Sequence, residues 1–219
     1  MELNTVEARI IGSLAEKQLT TPQQYPLSLN ALVLACNQSS NREPVVAYDD
    51  GTVEVALSSL KESGLVRFVH PSHGRSVIRY RQVADERFGL DDRGLSVVAV
   101  LLLRGPQTVG ELRVRTERMA DFESLASVEG ELERLSKGPE PLVSRLTRQP
   151  GQKEERWVQL LTGEPSEETI ALHSVTPSPR QGASLGDEVA SLRADVDYLR
   201  QEVAALEQSV GQLRRALGE

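Results

Sequence analysis

Histidine and cysteine are the residue types in this chain best suited to bind a metal or to act as a nucleophile. The sequence has a single cysteine, Cys36, and two closely spaced histidines, His70 and His73. The spacing of these three residues does not match that of a zinc site, and the sequence offers no fourth ligand to complete one. We therefore interpret both histidines as surface residues of a hairpin. Cys36 falls on the apolar face of a predicted helix, which favours a buried thiol. No Walker-type phosphate loop occurs either. We therefore expect a non-enzymatic protein without catalytic residues, metal or cofactor.

One polar segment, residues 37–44 with the sequence NQSSNREP, combines amides with an arginine. Its amides and Arg42 could donate hydrogen bonds to phosphates or to the backbone of a partner. The same side chains could instead cap the preceding helix and fix the turn into Pro44, which has no backbone N–H to donate. We favour the structural interpretation and keep Arg42 as a candidate contact.

Arginines concentrate between residues 65 and 81, where four of them occur without an acidic residue. Such a surface could hold the phosphates of DNA. The helix predicted before it fits DNA reading poorly, because Lys61 is accompanied by Glu54 and Glu62. The corresponding helix near residues 127–137 is acidic as well. The candidate contacts with DNA or a partner protein are Arg42, Lys61, Arg67, Arg75, Arg79 and Arg81.

Apolar periodicity predicts the elements that must position these residues. Helices are expected from residue 5 to 17, from Ser28 to Cys36 and from about residue 50 to Gly64. Asn4 or Thr5 caps the first helix and Asp49 with Asp50 caps the third. Two antiparallel strands follow at 65–70 and 76–81. Helix, helix, helix, hairpin is the order of elements in a winged helix.

The same order recurs downstream, with helices and strands predicted over 95–104, 109–118, 128–137, 142–148 and 155–161. Thr108 is the expected cap of the middle helix. A shared pattern, Val-Glu-x-x-Leu-x-x-Leu, begins at Val53 and again at Val128. The repeated order and pattern indicate duplication. The predicted fold class is mainly α with small β-hairpins (α+β), as tandem winged-helix domains at 1–88 and 89–161.

The C-terminal part of the chain follows a different pattern. Residues 162–184 are rich in Pro, Gly, Ser and Thr, which predicts a flexible linker. Residues 185–219 then repeat Leu at d and mostly Val at a every seven residues, which favours a parallel two-stranded coiled coil. A helix folded back onto its own domains is the alternative. The predicted dimerisation residues are Leu185, Val189, Leu192, Val196, Leu199, Val203, Leu206, Val210, Leu213 and Leu217.

Several motif strings resemble those of a known family. They are EKQ at 16–18, TPQQYPLS at 21–28, ACNQ at 35–38, NREP at 41–44, LLLRG at 101–105 and QTVGELR at 107–113. With the Leu-repeating tail, nearly the whole chain resembles the YceH-like family of uncharacterised bacterial proteins. The resemblance implies a tandem winged-helix fold and no established activity.

Composition restricts the setting in which the protein works. A single cysteine and an N-terminus unlike a signal peptide predict a cytoplasmic protein. No apolar stretch is long enough to span a bilayer, so no membrane partner is expected. The net charge of −7 counts against coating nucleic acid by overall attraction.

Two functions stay open for such a protein. The first is a homodimeric DNA-binding or transcription-associated regulator that contacts double-stranded DNA through the first hairpin. The alternative is a protein-protein interaction scaffold that uses winged helices without reading DNA. We favour the first, and both predict that the chain pairs with itself.

Overall fold

The computed structural model describes residues 2–70, 77–147 and 154–165. Within these residues the chain forms α1 (Thr5–Thr20), α2 (Leu29–Cys36), α3 (Asp50–Glu62), α4 (Ala84–Phe88), α5 (Asp92–Arg104), α6 (Val109–Thr116) and α7 (Leu125–Leu135). The strands are β1 (Leu27–Ser28), β2 (Val66–Val69), β3 (Arg79–Gln82), β4 (Val143–Arg145) and β5 (Trp157–Gln159). The prediction of a mainly α protein with small β-hairpins is confirmed.

Helix α1 starts at a cap that the sequence predicts. The side chain of Asn4 accepts hydrogen bonds from the backbone N–H groups of Val6 and Glu7, and the Glu7 carboxylate accepts one from the Asn4 N–H at 2.8 Å. This capping box satisfies donors that the first helical turn leaves unpaired. Every residue from Glu7 to Glu16 is buried. The helix therefore passes through the interior of the protein.

We call α1, α2, α3 and the β2–β3 hairpin the first repeat. Its sheet is antiparallel with the order β1-β3-β2. Phe68 lies opposite Tyr80 across the hairpin, and their rings meet edge to face with centroids 4.9 Å apart. Strand β1 was not predicted, because two residues are too few to show an alternating pattern.

We call α5, α6, α7 and the β4–β5 hairpin the second repeat, since the same order of elements recurs there. Thr108 and Glu111 form a capping box at the start of α6, which confirms the predicted cap. Helices α5 and α7 begin at Asp92 and Leu125, three residues ahead of their predicted starts, because Asp91 and Ser124 supply caps.

Helix α4, which follows the first hairpin, was not predicted. It has five residues and ends at Gly89, whose φ of 63° is a left-handed conformation that glycine adopts at low cost. The predicted boundary at residue 88 falls at the C-terminal end of this helix. That boundary stays a prediction.

The two repeats share one hydrophobic core in which α1 packs against α5. At Gly12 a Cβ atom would lie 2.9 Å from Leu103 Cγ and 3.1 Å from Leu102 Cβ, closer than side chains pack. Glycine at this position thus allows the two helices to approach each other. Around this contact the core joins Ile10 and Leu14 to Leu101, and the described residues fall in one compact unit.

The predicted linker at 162–184 is described only as far as residue 165, and the predicted coiled coil at 185–219 lies outside the described residues. Both stay predictions. None of the helices within the described ranges has the length and apolar character needed to cross a membrane.

Candidate functional site

The β2–β3 hairpin brings three of the predicted contact residues together. Arg67 lies directly opposite Arg81 across the two strands. Arg79 shares the face of Arg81, because side chains alternate between the two faces of a strand. Phe68 and Tyr80 point to the other face and pack against the core. We call the outer face, with Arg67, Arg79 and Arg81, the hairpin surface.

A carboxylate that the sequence did not assign lies among these arginines. Glu86 of α4 forms an ion pair of 2.8 Å with Arg67 and a second ion pair with Arg81. The three side chains are 46%, 60% and 35% exposed, so both pairs are accessible to water and ions. Glu86 therefore offsets part of the positive charge that the sequence predicts. The sequence feature that could have indicated the short helix carrying Glu86 is Gly89, which is the C-cap of that helix.

Two other predicted contacts, Arg79 and Lys61, have partners other than Glu86. The Arg79 guanidinium donates a hydrogen bond of 2.9 Å to the Pro26 carbonyl. The Lys61 ammonium lies 4.7 Å from the centroid of the Phe68 ring, on the opposite face of the hairpin. Arg75 lies outside the described residues.

Helix α3 presents an outer face without charge over most of its length. Its buried residues are Val53, Ala56, Leu57 and Leu60. Successive helical residues are about 100° apart, so Gly51, Val55 and Ser58 lie opposite that core side, and the exposed Glu62 ends the same face. All three are exposed, Val55 at 74%. Glu54 and Lys61 lie instead on the flank toward the hairpin, beside Tyr80 and Phe68.

The second repeat differs from the first in the charges around its hairpin. Arg145 at the end of β4 pairs with Glu155 at 3.0 Å and with Glu129 of α7 at 3.7 Å. Further along α7, Arg134 pairs with Glu131. The acidic residues predicted for α7, the third helix of the second repeat, therefore form ion pairs with arginines.

Arg42 lies in the interior of the protein. None of its side-chain surface is exposed, and its guanidinium contacts the Glu16 carboxylate at 2.6 Å. It also donates hydrogen bonds to the Ala35 and Asn41 carbonyls, at 3.0 and 2.9 Å, and to the Gln38 side chain at 2.9 Å. With these acceptors, Arg42 supports the fold of the loop and has no surface free for DNA or a partner.

The segment 37–44 is held by its own side chains, as the structural interpretation expects. The Asn37 side chain donates to the Tyr48 carbonyl at 2.7 Å and accepts from the Tyr48 N–H at 2.9 Å. Asn41 adopts a φ of 59°, a left-handed conformation that asparagine tolerates better than most residues. The loop is thereby closed onto the chain that leads into α3.

Burial and charge shift the pKa values of ionisable groups around this loop. Burial alone would raise the pKa of Glu16, but the charge and hydrogen bonds of Arg42 lower it below its ordinary value. Cys36 is buried, as the sequence predicts, and burial raises the pKa of its thiol to about 11. Arg9, also buried, donates to the Cys36 and Pro44 carbonyls. Burial and the charge of Arg42 lower the pKa of Arg9.

Four of the motif strings that carry the family resemblance meet at this place, since Arg42 also bonds to Ala35 and Gln38 of the string ACNQ. Glu16 comes from the first, Asn41 and Arg42 from the loop, and Arg104 from the end of α5. Besides the Arg42–Glu16 pair, the Arg104 side chain donates to the Asn41 side chain, and the Glu43 N–H donates to the Leu103 carbonyl at 2.8 Å. Sequence analysis did not assign Glu16 or Arg104 to a site, because nothing in their spacing indicates the contact.

Comparison with known proteins identifies relatives of the chain. Residues 3–152 match the model of a family described as "Protein of unknown function, DUF480". The chain belongs to this family. It is 51% identical over 166 residues to a UPF0502 protein of Geobacter metallireducens, a match covering 76% of this chain and 75% of the relative.

Two further UPF0502 proteins extend the match. The identity is 53% over 175 residues in Geotalea daltonii, covering 80% of this chain and 78% of the relative. It is 47% over 191 residues in Solibacter usitatus, covering 87% of this chain and 89% of the relative. Membership of an uncharacterised bacterial family is thus confirmed, while the narrower YceH-like label stays a prediction.

Proposed function

We propose that this member of the DUF480 family is a non-enzymatic, dimeric tandem winged-helix protein that binds double-stranded DNA as a transcription-associated regulator. The proposed fold rests on the order helix, helix, helix, hairpin, which occurs twice. When a winged helix reads DNA, its third helix enters the major groove and its hairpin holds phosphates. In the first repeat these elements are α3 and the β2–β3 hairpin.

The observation that carries the proposal is the character of the outer faces of these two elements. Gly51, Val55 and Ser58 are uncharged, so α3 can approach a groove along this part of its outer face, whereas Glu62 at its C-terminal end repels phosphates. Val55 and Ser58 could contact a thymine methyl group and a base edge, respectively. The hairpin surface adds exposed arginines, which are suited to backbone phosphates.

Glu86 limits the strength of such binding. Its carboxylate competes with DNA phosphates for Arg67 and Arg81. An approaching phosphate must therefore displace this one carboxylate from either arginine. Because these ion pairs are exposed, displacing them costs little. The first repeat is therefore expected to bind DNA weakly and with marked dependence on salt.

The interaction scaffold remains the second candidate, and the charge pattern favours it. Glu86 neutralises arginines on the first hairpin, and Glu129 and Glu155 do so at Arg145 near the second. An acidic chain whose hairpin arginines are paired with carboxylates is suited to a protein partner. Both candidates include dimerisation by the predicted coiled coil.

Equilibrium binding to random-sequence duplex DNA, followed by fluorescence anisotropy at low salt, tests the proposal. Wild type should bind, Glu86→Gln should bind more tightly because it frees Arg67 and Arg81, and the double variant R67A/R81A should bind more weakly. Glu129→Gln is the matched control, since it removes the same charge beside the second hairpin and should leave affinity unchanged. Absence of binding by both wild type and Glu86→Gln would favour the scaffold.

The dimer requires a separate test. Placing Asp at Leu199 and Leu206 should abolish the dimer, because buried carboxylates at d positions oppose coiled-coil packing. Sedimentation equilibrium of wild type and variant measures the mass directly. An unchanged mass in the variant would contradict the coiled coil.

A further inference from the structure

The short helix α4, which carries Glu86, is capped by a side chain of the hairpin. The residue directly before the helix is Val83, whose apolar side chain cannot accept a hydrogen bond. Instead the Gln82 Oε1 accepts from the Ala84 N–H at 2.6 Å and from the Asp85 N–H at 3.2 Å. Gln82 is the last residue of β3 and is fully buried. The hairpin therefore holds the start of α4 through a buried amide.

Two further hydrogen bonds join Gln82 and α4 to the C-terminal part of α1. The Gln82 Nε2 donates to the Gln18 Oε1 at 2.8 Å, and the Gln18 Nε2 donates to the Asp85 Oδ2 at 3.1 Å. The second oxygen of the same carboxylate, Asp85 Oδ1, accepts from the Glu86 N–H at 2.8 Å. We call Gln18, Gln82 and Asp85 the α4 clamp. Through it, α1 and β3 both hold the first turn of α4.

The partners of the α4 clamp fix the orientation of both amides. A backbone N–H only donates, and an ionised carboxylate only accepts. The oxygen of Gln82 therefore faces α4, its nitrogen faces Gln18, and the nitrogen of Gln18 faces Asp85. Turning either amide over would place two donors or two acceptors against each other. The hydrogen bonds of the clamp thus allow a single arrangement.

Two of the motif strings that carry the family resemblance meet at the clamp. Gln18 belongs to the string at 16–18, and Tyr25 belongs to the string at 21–28. The Tyr25 hydroxyl accepts a hydrogen bond of 2.7 Å from the Gln82 N–H. The backbone of Gln82 is thereby fixed as well as its side chain. Neither string contributes a residue to the hairpin surface, yet both support the helix beside it.

The position of α4 determines where the Glu86 carboxylate lies. A helix of five residues is too short to be stable through its own hydrogen bonds, so its place depends on contacts with the rest of the protein. Ala84 is buried, whereas Glu86 and Arg87 are exposed. Arg87 pairs with Glu140 at 3.4 Å, but such an exposed pair stabilises little. The clamp is the buried polar contact that orients the helix.

We infer that Gln18, Gln82 and Asp85 are positioning residues that hold Glu86 against the hairpin arginines and so lower the affinity of the hairpin surface for phosphates. Glu86 occupies Arg67 and Arg81 with one carboxylate. Helix α4 is thus an autoinhibitory element, and opening the clamp frees both arginines. The consequence for DNA rests on the proposed function, whereas the effect on the two arginines does not.

The reaction of the hairpin arginines with phenylglyoxal tests the clamp without DNA, because this reagent modifies a guanidinium faster when no carboxylate shields it. Peptide mass spectrometry of the full-length protein gives the rates at Arg67 and Arg81. Gln18→Glu sets a carboxylate against Asp85 and should raise both rates about twofold to fivefold, as the loss of exposed ion pairs does. Arg145 of the second hairpin is the internal reference and should react as in the wild type.

A second substitution restores the clamp and separates positioning from added charge. In the double variant Q18E/D85N, the amide of residue 85 donates to the carboxylate of residue 18, and the net charge equals that of the wild type. Both rates should return to nearly those of the wild type. Gln23→Glu is the matched control, because it adds the same charge at an exposed position on the following turn and should leave both rates unchanged.

Positioning through Glu86 also predicts that the effects are not additive. In the Glu86→Gln background, Gln18→Glu should raise neither rate further, because the carboxylate that the clamp positions is already gone. Circular dichroism checks that each variant is folded. Gln18→Ala is the second variant, since it breaks the same two bonds without adding a charge and keeps a residue that favours helix.

Two results would overturn the inference. One is unchanged rates at Arg67 and Arg81 in both Gln18→Glu and Gln18→Ala. The other is an increase that D85N does not reverse, or that persists in the Glu86→Gln background, which would indicate a loosened hairpin.

The same variants separate the clamp from DNA binding. Gln18→Ala should bind random-sequence duplex DNA about twofold to fivefold more tightly than wild type. Raised modification rates without DNA binding by any variant would support the clamp and contradict the proposed function. DNA binding by wild type with unchanged modification rates in the Gln18 variants would contradict the clamp alone.

Discussion

The arginines of the hairpin surface and the arginine of the interior differ in what balances their charge. Arg67 and Arg81 share one carboxylate, Glu86, and all three side chains are open to solvent. Arg42 has its own carboxylate, Glu16, and no exposed side-chain surface. Solvent and salt screen the first group and hardly reach the second. An arginine at the hairpin can therefore exchange Glu86 for another anion, whereas Arg42 in the interior keeps Glu16 as its partner.

The largest expected effect comes from breaking the interior pair. Glu16→Gln leaves the buried Arg42 charge without its counter-ion and should lower the free energy of unfolding by about 3–5 kcal/mol. Urea unfolding followed by circular dichroism measures this loss. A double-mutant cycle with Arg42→Leu should show strong coupling, while the equivalent cycle for Glu86 and Arg67 should show almost none. Equal coupling in both cycles would remove the distinction between the two regions.

The stabilising effect of Glu16 should also depend on pH. Its pKa is lower in the folded protein than the ordinary value near 4.5. The stabilisation is therefore complete above that ordinary value and is lost as the pH falls through the lowered, folded-state pKa. The difference in unfolding free energy between wild type and Glu16→Gln should be constant near neutral pH and shrink in acid. A difference that stays constant throughout the acid range would contradict the lowered pKa.

A smaller effect is expected from filling the contact between α1 and α5. Gly12→Ala places a Cβ against Leu103 and should destabilise the protein by about 1–3 kcal/mol, as overpacking does. Gly130→Ala in α7 is the control, because a Cβ there meets nothing within 4 Å. It should stabilise the protein by about 0.5–1 kcal/mol through helix propensity. Thermal unfolding of both variants shows whether the signs are opposite, as tight packing of the interior requires.

The smallest effect on stability is expected at the hairpin surface. Glu86→Gln removes two exposed ion pairs and should change the free energy of unfolding by less than about 1 kcal/mol. Urea unfolding at low salt measures the change, and added salt should reduce it further. A loss as large as that of Glu16→Gln would mean that Glu86 holds the hairpin in place.

Local signals in the sequence were sufficient for most of the fold. Thr108 was predicted as a cap, and Asn4 and Asp49 were each predicted as one of two adjacent candidates, because a cap bonds to residues two or three positions along the chain. β1 was missed because it exists only by pairing with β3, and α4 because five residues are too few to show a helical period.

The contacts of the candidate site were much harder to predict. The partner of Arg42 is Glu16, 26 residues earlier in the chain, and only the packing of the loop on α1 brings them together. The burial of Arg42 and the pairing of Arg67 with Glu86 both depend on such packing. Charge counted along the sequence therefore overstated the basic character of the hairpin.

Salt dependence of DNA binding tests the central claim, contact between the hairpin surface and phosphates, most directly. Affinity of wild type, Glu86→Gln and R67A/R81A for one duplex would be measured over a series of salt concentrations. The slope of log K against log salt should be steepest for Glu86→Gln and shallowest for R67A/R81A, because each phosphate contact contributes about 0.9 to the slope. Identical slopes for the three proteins, or no binding by any of them at low salt, would contradict DNA contact through the hairpin.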